Sequence, residues 1–451
     1  IVLDNFKSFG HLDLDLSGPK GVPKPYVMIY GENGSGKTNI MESIQFLRRS
    51  TDTLSGGNAR SDRKKDPQLI ADGSVIIDPR LNGILSRFIE VVSEAAESDA
   101  VRQDICSLAR EYRMIGSEGH ITAEFAFVVD GGEVSYKMRF GEDERLIGEE
   151  MRCSINGRRS HLYSVSSNDG GKVVLKTHRS FFRSPDYESE ARGLVSRYWG
   201  MHSLLSIIRS ETSRYNRAFM EESLCPEILG ALGYLDSLSV CLNKSYDGPI
   251  NLEGGFAPAE ARKVLDAYQV AASKFFGCTY TDIRGVHYDY RDNGDMIRYM
   301  LYFEKRINDE YRDIPAHKES LGTRNLLKLL PFLMEYSRGN VVFIDELDTG
   351  IHDKLVRDTM KQILESGKGQ LIVTSHNTSL LRNANPSNAY VIRYIDDGAK
   401  EVVPISSIAK TQKNHNNADR YMNGVFDGVP YVSYIDMEDI VESFDEVAGD
   451  A

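Results

Sequence analysis

Apolar residues follow strand and helix patterns most clearly at the two ends of the chain. Apolar and polar positions alternate over residues 1–16, which is typical of half-buried strands. The run Tyr26–Tyr30 is bounded by a proline and a glycine and predicts a buried strand, and a helix is predicted from Lys37 to about Arg49. From residue 319 onward helix and strand patterns alternate, which predicts an α/β unit.

The middle of the chain mixes both kinds of pattern. Residues 77–115 and 187–275 have apolar positions mainly at helical spacing, whereas residues 120–180 and 282–306 alternate as strands. The tripeptide Asp130-Gly131-Gly132 lies between two strand patterns and predicts a hairpin turn. The sequence shows no internal repeat and no long heptad array, so it does not predict a coiled coil.

Composition narrows the class of protein. The 451 residues are 41% hydrophobic and carry a net charge of −12, which is typical of a globular protein. The negative charge disfavours a protein that coats nucleic acid, but it does not exclude a local basic groove. No run of eighteen apolar residues occurs, so we expect no membrane span. The five cysteines are scattered without a CxxC pair, which favours a reducing, cytoplasmic compartment over a zinc site or disulfide scaffold.

A phosphate-binding motif lies between the predicted strand at 26–30 and the helix at 37–49. Its sequence, Gly31-Glu32-Asn33-Gly34-Ser35-Gly36-Lys37-Thr38, fits G-x-x-x-x-G-K-[ST], the Walker A pattern. Backbone N–H groups of such a loop surround phosphates, Lys37 is expected to reach the β and γ phosphates, and Thr38 is expected to ligate Mg²⁺. The sequence therefore predicts ATP and Mg²⁺ as cofactors, with nucleotide-binding candidates Gly31, Asn33, Gly34, Ser35, Gly36, Lys37, Thr38 and Asn39.

Two further apolar strands carry candidate catalytic residues at their carboxyl ends. Val341–Ile344 ends in Asp345 and Glu346. Asp345 is expected to hold Mg²⁺ directly or through water, and Glu346 to orient or polarise the attacking water. The strand at 371–375 is followed by His376, where open α/β sheets bind ligands. His376 could bond the γ-phosphate, although a lone histidine is more often structural.

This arrangement resembles the ABC-type ATPase heads of the SMC, Rad50 and RecF group, in which two heads enclose ATP. The resemblance implies an α/β P-loop NTPase fold with a mixed α+β insertion. It also implies that each head has a signature motif, which contacts the nucleotide bound to the other head. The segment Glu319-Ser320-Leu321-Gly322-Thr323 matches the signature position, so Ser320 and Gly322 would contact the γ-phosphate of a second copy; the alternative is that Ser320 is only a helix N-cap. Asp348 matches the D-loop position of such heads, which would also lie at the interface between the two heads.

The same resemblance divides the chain and assigns its N-terminal motif. Lys7, within a segment that resembles the Asn-Phe-Arg-Ser-Phe motif of the group, could approach the nucleotide or be a surface lysine. A second signature-like segment at residues 53–57 lies too close to the Walker A motif and is assigned to a loop. The expected segments are residues 1–49 and 319–432 as the two parts of the head, 50–75 as a mobile loop, 76–318 as the insertion and 433–451 as an acidic tail.

Within that group the chain resembles the AAA-type ATP-binding proteins of bacterial abortive-infection systems. The features that carry the resemblance are the short insertion, Asp345-Glu346-Leu347-Asp348, Thr374-Ser375-His376-Asn377 and the closing stretch at 421–430, with Asp353 where the family usually has proline. In size and layout it is similar to the ATPase subunit of PARIS-type anti-phage systems. The resemblance implies a slow ATPase that pairs with itself, holds a separate effector, often a nuclease, and releases it on a phage-encoded trigger.

Two questions stay open from the sequence. A RecF-like repair ATPase that clamps DNA is the alternative function; the acidic charge disfavours it and the basic cluster at residues 60–65 keeps it open. At the C-terminus, Met437, Ile440, Val441 and Phe444 fall at helical spacing among seven acidic residues between 436 and 450. That helix could dock a basic partner or cap the α/β core.

Overall fold

The computed structural model describes residues 1–54, 104–155, 157–167, 171–242, 251–382, 384–395, 398–410, 416–430 and 433–449. The strands are β1 (Val2–Phe6), β2 (Phe9–Asp13), β3 (Tyr26–Tyr30), β4 (Ile121–Val129), β5 (Gly132–Phe140), β6 (Leu146–Ile155), β7 (Arg158–Ser167), β8 (Val173–Thr177), β9 (Ser239–Cys241), β10 (Gly254–Pro258), β11 (Ile283–Asn293), β12 (Met296–Ile307), β13 (Glu310–Pro315), β14 (Val341–Ile344), β15 (Gln370–Thr374), β16 (Ala389–Tyr394) and β17 (Lys400–Pro404). The helices are α1 (Lys37–Ser50), α2 (Ile105–Tyr112), α3 (Pro185–Tyr198), α4 (Leu204–Arg214), α5 (Arg217–Ser223), α6 (Pro226–Ser237), α7 (Arg262–Thr279), α8 (Leu321–Arg338), α9 (Asp353–Ser366), α10 (Ile405–Ile408), α11 (Asn417–Met422) and α12 (Met437–Gly449).

A seven-stranded antiparallel sheet joins the N-terminus to the middle of the chain. Its order is β2-β1-β4-β5-β6-β7-β8. The predicted hairpin is confirmed: Val129 pairs with Gly132, and Asp130 and Gly131 between them both have positive φ, as a two-residue primed turn requires.

A six-stranded sheet of order β17-β16-β3-β15-β14-β9 contains the strands that precede the Walker A loop and Asp345. Its strands from β16 to β9 are parallel, and β17 is antiparallel to β16. Val27 and Ile29 of β3 face one hydrophobic core and Met28 and Tyr30 face the other, so both faces of the sheet are buried. Burial on both faces explains why these strands are continuous apolar runs in the sequence. The carboxyl ends of β3, β14 and β15 therefore meet at the same edge.

The third sheet has the order β10-β12-β11, with β13 also paired to β12. Helix α7 lies along its edge strand β11. Ser273 Oγ donates to the Val286 carbonyl at 3.0 Å, and the Tyr288 N–H donates to Gln269 Oε1 at 2.8 Å. These side-chain bonds from the helix satisfy backbone groups that an edge strand would otherwise expose.

A buried carboxylate ties the antiparallel sheet to the helices that follow it. Glu149 of β6 is 2% exposed and accepts four hydrogen bonds. Its donors are Tyr136 Oη at 3.1 Å, Tyr163 Oη at 3.0 Å, Trp199 Nε1 at 2.8 Å and the Leu204 N–H at 2.7 Å. Burial raises the pKa of Glu149, while the four donors act in the opposite direction.

The C-terminal helix forms, but its apolar stripe does not cap the core. In α12 the side chains of Met437, Ile440, Val441 and Phe444 are between 50% and 70% exposed. The core-capping interpretation is therefore wrong, because a capping helix would bury this stripe. None of the helices in the described ranges is long and apolar enough to cross a membrane. All five cysteines are free thiols.

Candidate functional site

The Walker A loop joins the carboxyl end of β3 to the start of α1. Gly34 and Gly36 have φ of 78° and 112°. A Cβ on Gly36 would lie 2.6 Å from Ser8 Oγ and 2.9 Å from Phe9 Cζ, so only glycine lets the N-terminal strands approach the loop this closely. Asn39 Nδ2 donates to Ser8 Oγ at 2.7 Å and fixes the same contact from the first turn of the helix.

Lys37 is anchored by backbone carbonyl groups at the mouth of this loop. Its side chain is largely buried, and Nζ donates to the carbonyl oxygens of Gly31 at 2.7 Å and Glu32 at 2.9 Å. Burial lowers the pKa of Lys37, and the charges of Asp345, Glu346, Asp348 and Glu32 oppose that shift.

The loop has the donors that polyphosphate needs. The hydroxyl of Ser35 is buried and has no hydrogen-bond partner among the described residues. A buried orphan hydroxyl and a desolvated ammonium, next to a glycine-rich helix start, form a donor set that fits the phosphates of a nucleotide.

Asp345 and Glu346, at the end of β14, form the Walker B candidate, and they lie next to the Walker A residues. Thr38 Oγ1 donates to Asp345 Oδ2 at 2.8 Å, and Thr374 Oγ1 donates to Asp345 Oδ1 at 2.5 Å. The N–H of Glu346 donates to the same Thr374 hydroxyl at 2.7 Å, and Thr349 Oγ1 donates to Glu346 Oε2 at 3.2 Å. Glu346 has a φ of 47°, a strained value for a non-glycine residue. A hydroxyl and a carboxylate in contact are ligands that Mg²⁺ prefers, so the pair fits that ion.

Asp348, the D-loop candidate, and His376, the H-loop candidate after β15, are also neighbours. The backbone N–H of His376 donates to Asp348 Oδ1 at 3.4 Å, and the His376 side chain is exposed. Asn377 Nδ2 donates to Asp353 Oδ1 at 3.2 Å. Asp353, where proline is usual in the family that the sequence resembles, thus links the start of α9 to the segment after β15.

The signature candidates lie at the N-terminus of α8, where Ser320 is exposed and Gly322 is buried. Ser320 Oγ accepts from the Thr323 N–H at 3.2 Å, so the N-cap geometry is present. A Cβ on Gly322 would lie 2.5 Å from the backbone oxygen of Gly350, which requires glycine where the helix meets the D-loop. Asn325 Nδ2 donates to the Thr349 carbonyl at 2.7 Å and joins the same two segments. Within the described residues, Ser320 and Gly322 make no hydrogen bond to the Walker A loop of their own chain.

Lys7 packs against α1 and pairs with a carboxylate on that helix. Its Nζ lies 3.3 Å from Glu42 Oε2 and 4.6 Å from the centre of the Tyr112 ring. The signature-like segment at 53–57 is described only at its first two residues, where Leu54 is buried and its N–H donates to Ser206 Oγ at 2.8 Å. Its other residues, the rest of the loop expected at 50–75 and the basic cluster at 60–65 lie outside the described residues.

Two residues at the site were missed from the sequence. Thr374 binds Asp345 and the backbone of Glu346, and its place at the end of a buried strand could have indicated it. Lys400 Nζ donates to the Gly34 carbonyl at 3.4 Å and lies 5.6 Å from the ring centres of Phe9 and Tyr394. Burial lowers the pKa of Lys400. No motif surrounds Lys400, so nothing in the sequence indicated it.

Two family models match the chain, one at each part of this site. A model described as an AAA domain matches residues 1–137, which include the Walker A loop. A model described as an AAA domain, putative AbiEii toxin, type IV toxin–antitoxin system, matches residues 249–382, which include the signature, Walker B and His376 segments. No curated protein matches the chain.

Several solved structures of SMC heads are similar to the chain at low identity. An SMC head bound to the C-terminal winged-helix domain of ScpA is 15% identical, with 89% of this chain and 96% of that chain covered and a TM-score of 0.44. The SMC head domain from Thermotoga maritima is 16% identical, with 89% and 97% covered and a TM-score of 0.36. An SMC head with an extended coiled coil, bound to the C-terminal domain of ScpA derived from Pyrococcus furiosus, is 15% identical, with 89% and 94% covered and a TM-score of 0.38.

The α/β P-loop fold predicted from the sequence is confirmed. The Walker A loop joins β3 of the six-stranded sheet to α1, and AAA domain models match the chain before and after residues 138–248.

Proposed function

We propose that the protein binds and hydrolyses ATP with Mg²⁺ at the edge where β3, β14 and β15 end. The observation that carries the proposal is the contact between Thr38 and Asp345, which joins the Walker A and Walker B residues beside the buried Lys37. Thr38 and Asp345 would hold Mg²⁺, and Lys37 with the loop N–H groups would hold the phosphates. Bound Mg²⁺ neutralises charge that develops on the phosphoryl oxygens during transfer.

Glu346 would position the attacking water. Thr374 fixes the backbone of Glu346 and Thr349 bonds its carboxylate, so the carboxylate is already oriented before water binds. His376 and Asp348, which are neighbours, would contact the γ-phosphate and the opposing head. Hydrolysis would be slow and act as a switch, because segments ordered by a γ-phosphate are released when it leaves.

A second copy would complete the site. Ser320 is exposed, and the N-terminus of α8 adds positive potential that suits a γ-phosphate on another head. Ser320→Arg should therefore prevent ATP-dependent pairing while ATP still binds. Pairing that survives this substitution would place the signature elsewhere.

Two substitutions test the chemistry. Lys37→Ala should abolish ATP binding, measured by calorimetry, because it removes the buried cation. Glu346→Gln should keep ATP binding, stop turnover and accumulate a paired, ATP-bound form in size-exclusion chromatography. Wild-type affinity in the first variant, or wild-type turnover in the second, would contradict the assigned roles.

We further propose that this ATPase is the sensor and scaffold of an anti-phage system, of the kind found in PARIS-type systems. It would hold a separate toxic effector, such as a nuclease, and release it when a phage-encoded trigger binds. The match of residues 249–382 to an AAA model whose description names a toxin–antitoxin system supports a defence role.

The test is capture of the bound partner. Tagged Glu346→Gln protein is expressed with its flanking genes and purified with ATP, Mg²⁺ and nuclease treatment, and Lys37→Ala protein is the matched control. A stoichiometric second protein that is present only with Glu346→Gln is the expected result. Protected DNA fragments without a second protein would support the RecF-like DNA clamp instead.

A further inference from the structure

The C-terminal helix α12 carries an apolar stripe that the described part of the chain does not cover. Met437, Ile440, Val441 and Phe444 lie at positions i, i+3, i+4 and i+7, so they share one face. Their exposed fractions are 61%, 50%, 51% and 70%. Large apolar side chains grouped and exposed in this way are typical of a surface that binds another protein.

Acidic residues flank this stripe. The helix has five carboxylates and no basic side chain between 437 and 449. At about 100° per residue, Glu438 and Asp445 project next to the stripe on one side of the helix. The complementary surface is therefore an apolar groove with basic side chains on its rim.

The chain has such a groove between α7 and α9. Its volume is about 620 Å³. The floor is formed by half-buried apolar side chains that pack on the core below, and the rim has exposed basic residues. The floor residues are Phe275, Leu355 and Ile363, and the rim residues are Lys274, Lys354 and His352. The acidic lining residue Asp358 is paired with Arg357 at 3.0 Å and lies 4.0 Å from the exposed Lys354 Nζ.

We propose that α12 of one copy docks in the α7–α9 groove of a second copy. The four stripe residues have the spacing with which an amphipathic helix anchors in an apolar groove. The rim lysines would pair with Glu438 and Asp445 in a protein whose overall charge is strongly negative. Helix and groove are different surfaces, so the contact is heterologous and joins copies into a ring or a longer assembly. It needs no nucleotide and is separate from the ATP-dependent pairing proposed above.

The first test measures association without nucleotide. The wild-type protein, purified free of nucleotide, should form larger species with increasing concentration in sedimentation velocity. Phe444→Glu should weaken this association about tenfold or more, because it places a charge in the apolar groove. Ser443→Glu is the matched control, since it adds the same charge about 100° around the helix from Phe444, on the side opposite Glu438 and Asp445, and should change association much less. A wild-type protein that stays monomeric, or an unaffected Phe444→Glu variant, would overturn the proposal.

The second test exchanges the charges. Lys274→Glu with Lys354→Glu should weaken association, and so should Glu438→Lys with Asp445→Lys. All four substitutions in one chain should restore association, because each pair then again has one positive and one negative side chain. All altered side chains are exposed, so the fold should tolerate them. Absence of restoration would overturn the assigned pairing.

The third test identifies the occupant of the groove. Cys278 is exposed and lines the groove, so it is a native attachment point. A Phe444→Cys variant is prepared with two different tags, mixed, and treated with a bifunctional thiol reagent. A covalent species with both tags is expected, and Cys278→Ser should remove it. Cross-linking only within one chain, or only to a different protein, would refute docking to a second copy.

Discussion

Replacement of Thr374 by valine tests how the catalytic carboxylates are held. Thr374 is fully buried at the end of β15. Its hydroxyl donates to Asp345 and accepts from the Glu346 N–H. Valine has nearly the same shape and cannot make either bond, so the variant removes two interactions and leaves the packing in place.

The structure gives the magnitude of the loss. The bond to the Asp345 carboxylate is to a charged group, worth about 1.5–3 kcal/mol, and the bond from the Glu346 N–H is worth about 0.5–1.5 kcal/mol. Thr374→Val should therefore lower the free energy of unfolding by about 2–4.5 kcal/mol. If Asp345 holds Mg²⁺, loss of the side chain that orients it should also lower ATP turnover by about 10–100-fold.

The assay combines unfolding in urea, followed by circular dichroism, with single-turnover ATP hydrolysis over a range of Mg²⁺ concentrations. Thr374→Ser keeps the hydroxyl and should retain most of the turnover. Thr177→Val, at the end of β8 in the seven-stranded sheet, is the control for the effect of a threonine-to-valine change away from the site. If Thr374→Val unfolds like the wild type and hydrolyses ATP at the same rate, the inferred role of the hydroxyl is refuted.

Three further predictions concern other parts of the molecule. Gly322→Ala should destabilise the protein by about 1–3 kcal/mol, because the added Cβ would overlap a backbone oxygen. Gly233→Ala is the control in α6: its Cβ would meet open space, so it should be neutral or stabilising, and thermal unfolding compares the two variants. Glu149→Leu should cost on the order of 4 kcal/mol or more by leaving four buried donors without an acceptor, and the fluorescence of the sole tryptophan, Trp199, should report it. Burial lowers the pKa of Lys37 and bound phosphates would raise it, so ATP affinity should fall as pH rises through the lowered pKa, and ATP binding at alkaline pH should take up a proton. Calorimetry in buffers of different ionisation enthalpy measures the affinity and the proton uptake. Equal affinity at neutral and alkaline pH would contradict the prediction.

The predictable features were those that short stretches of sequence determine. The apolar runs at 26–30 and 341–344 predicted buried strands, and strands of one parallel sheet end at one edge, so Thr38 and Asp345 were expected close together. The three-residue strand β9 was not predicted. It pairs with β14, and the Cys241 carbonyl accepts from the Asp345 N–H at 2.8 Å. A strand this short has no periodicity to detect.

Contacts between segments that are far apart in the sequence could not be predicted either. Lys400 reaches the Walker A loop only because β16 and β17 extend the sheet next to β3. The exposure of Phe444 and its neighbours on α12 could not be inferred either, since the same amphipathic pattern suits a helix packed on its own core and a helix that binds another surface. The roles assigned to the individual site residues stay predictions until the substitutions above are made.

The neighbours of the Walker A loop also determine when it can form during synthesis. Ser8 and Phe9 pack on one side of it, and a side chain on Gly428 would lie 3.7 Å from Gly31 Cα on the other. Thr38 and its partner Asp345 are 307 residues apart. Contacts over such separations form late, because the intervening chain must be made and ordered first. The antiparallel sheet can assemble on the ribosome well before the nucleotide site is complete, so an unfinished chain should be unable to bind ATP.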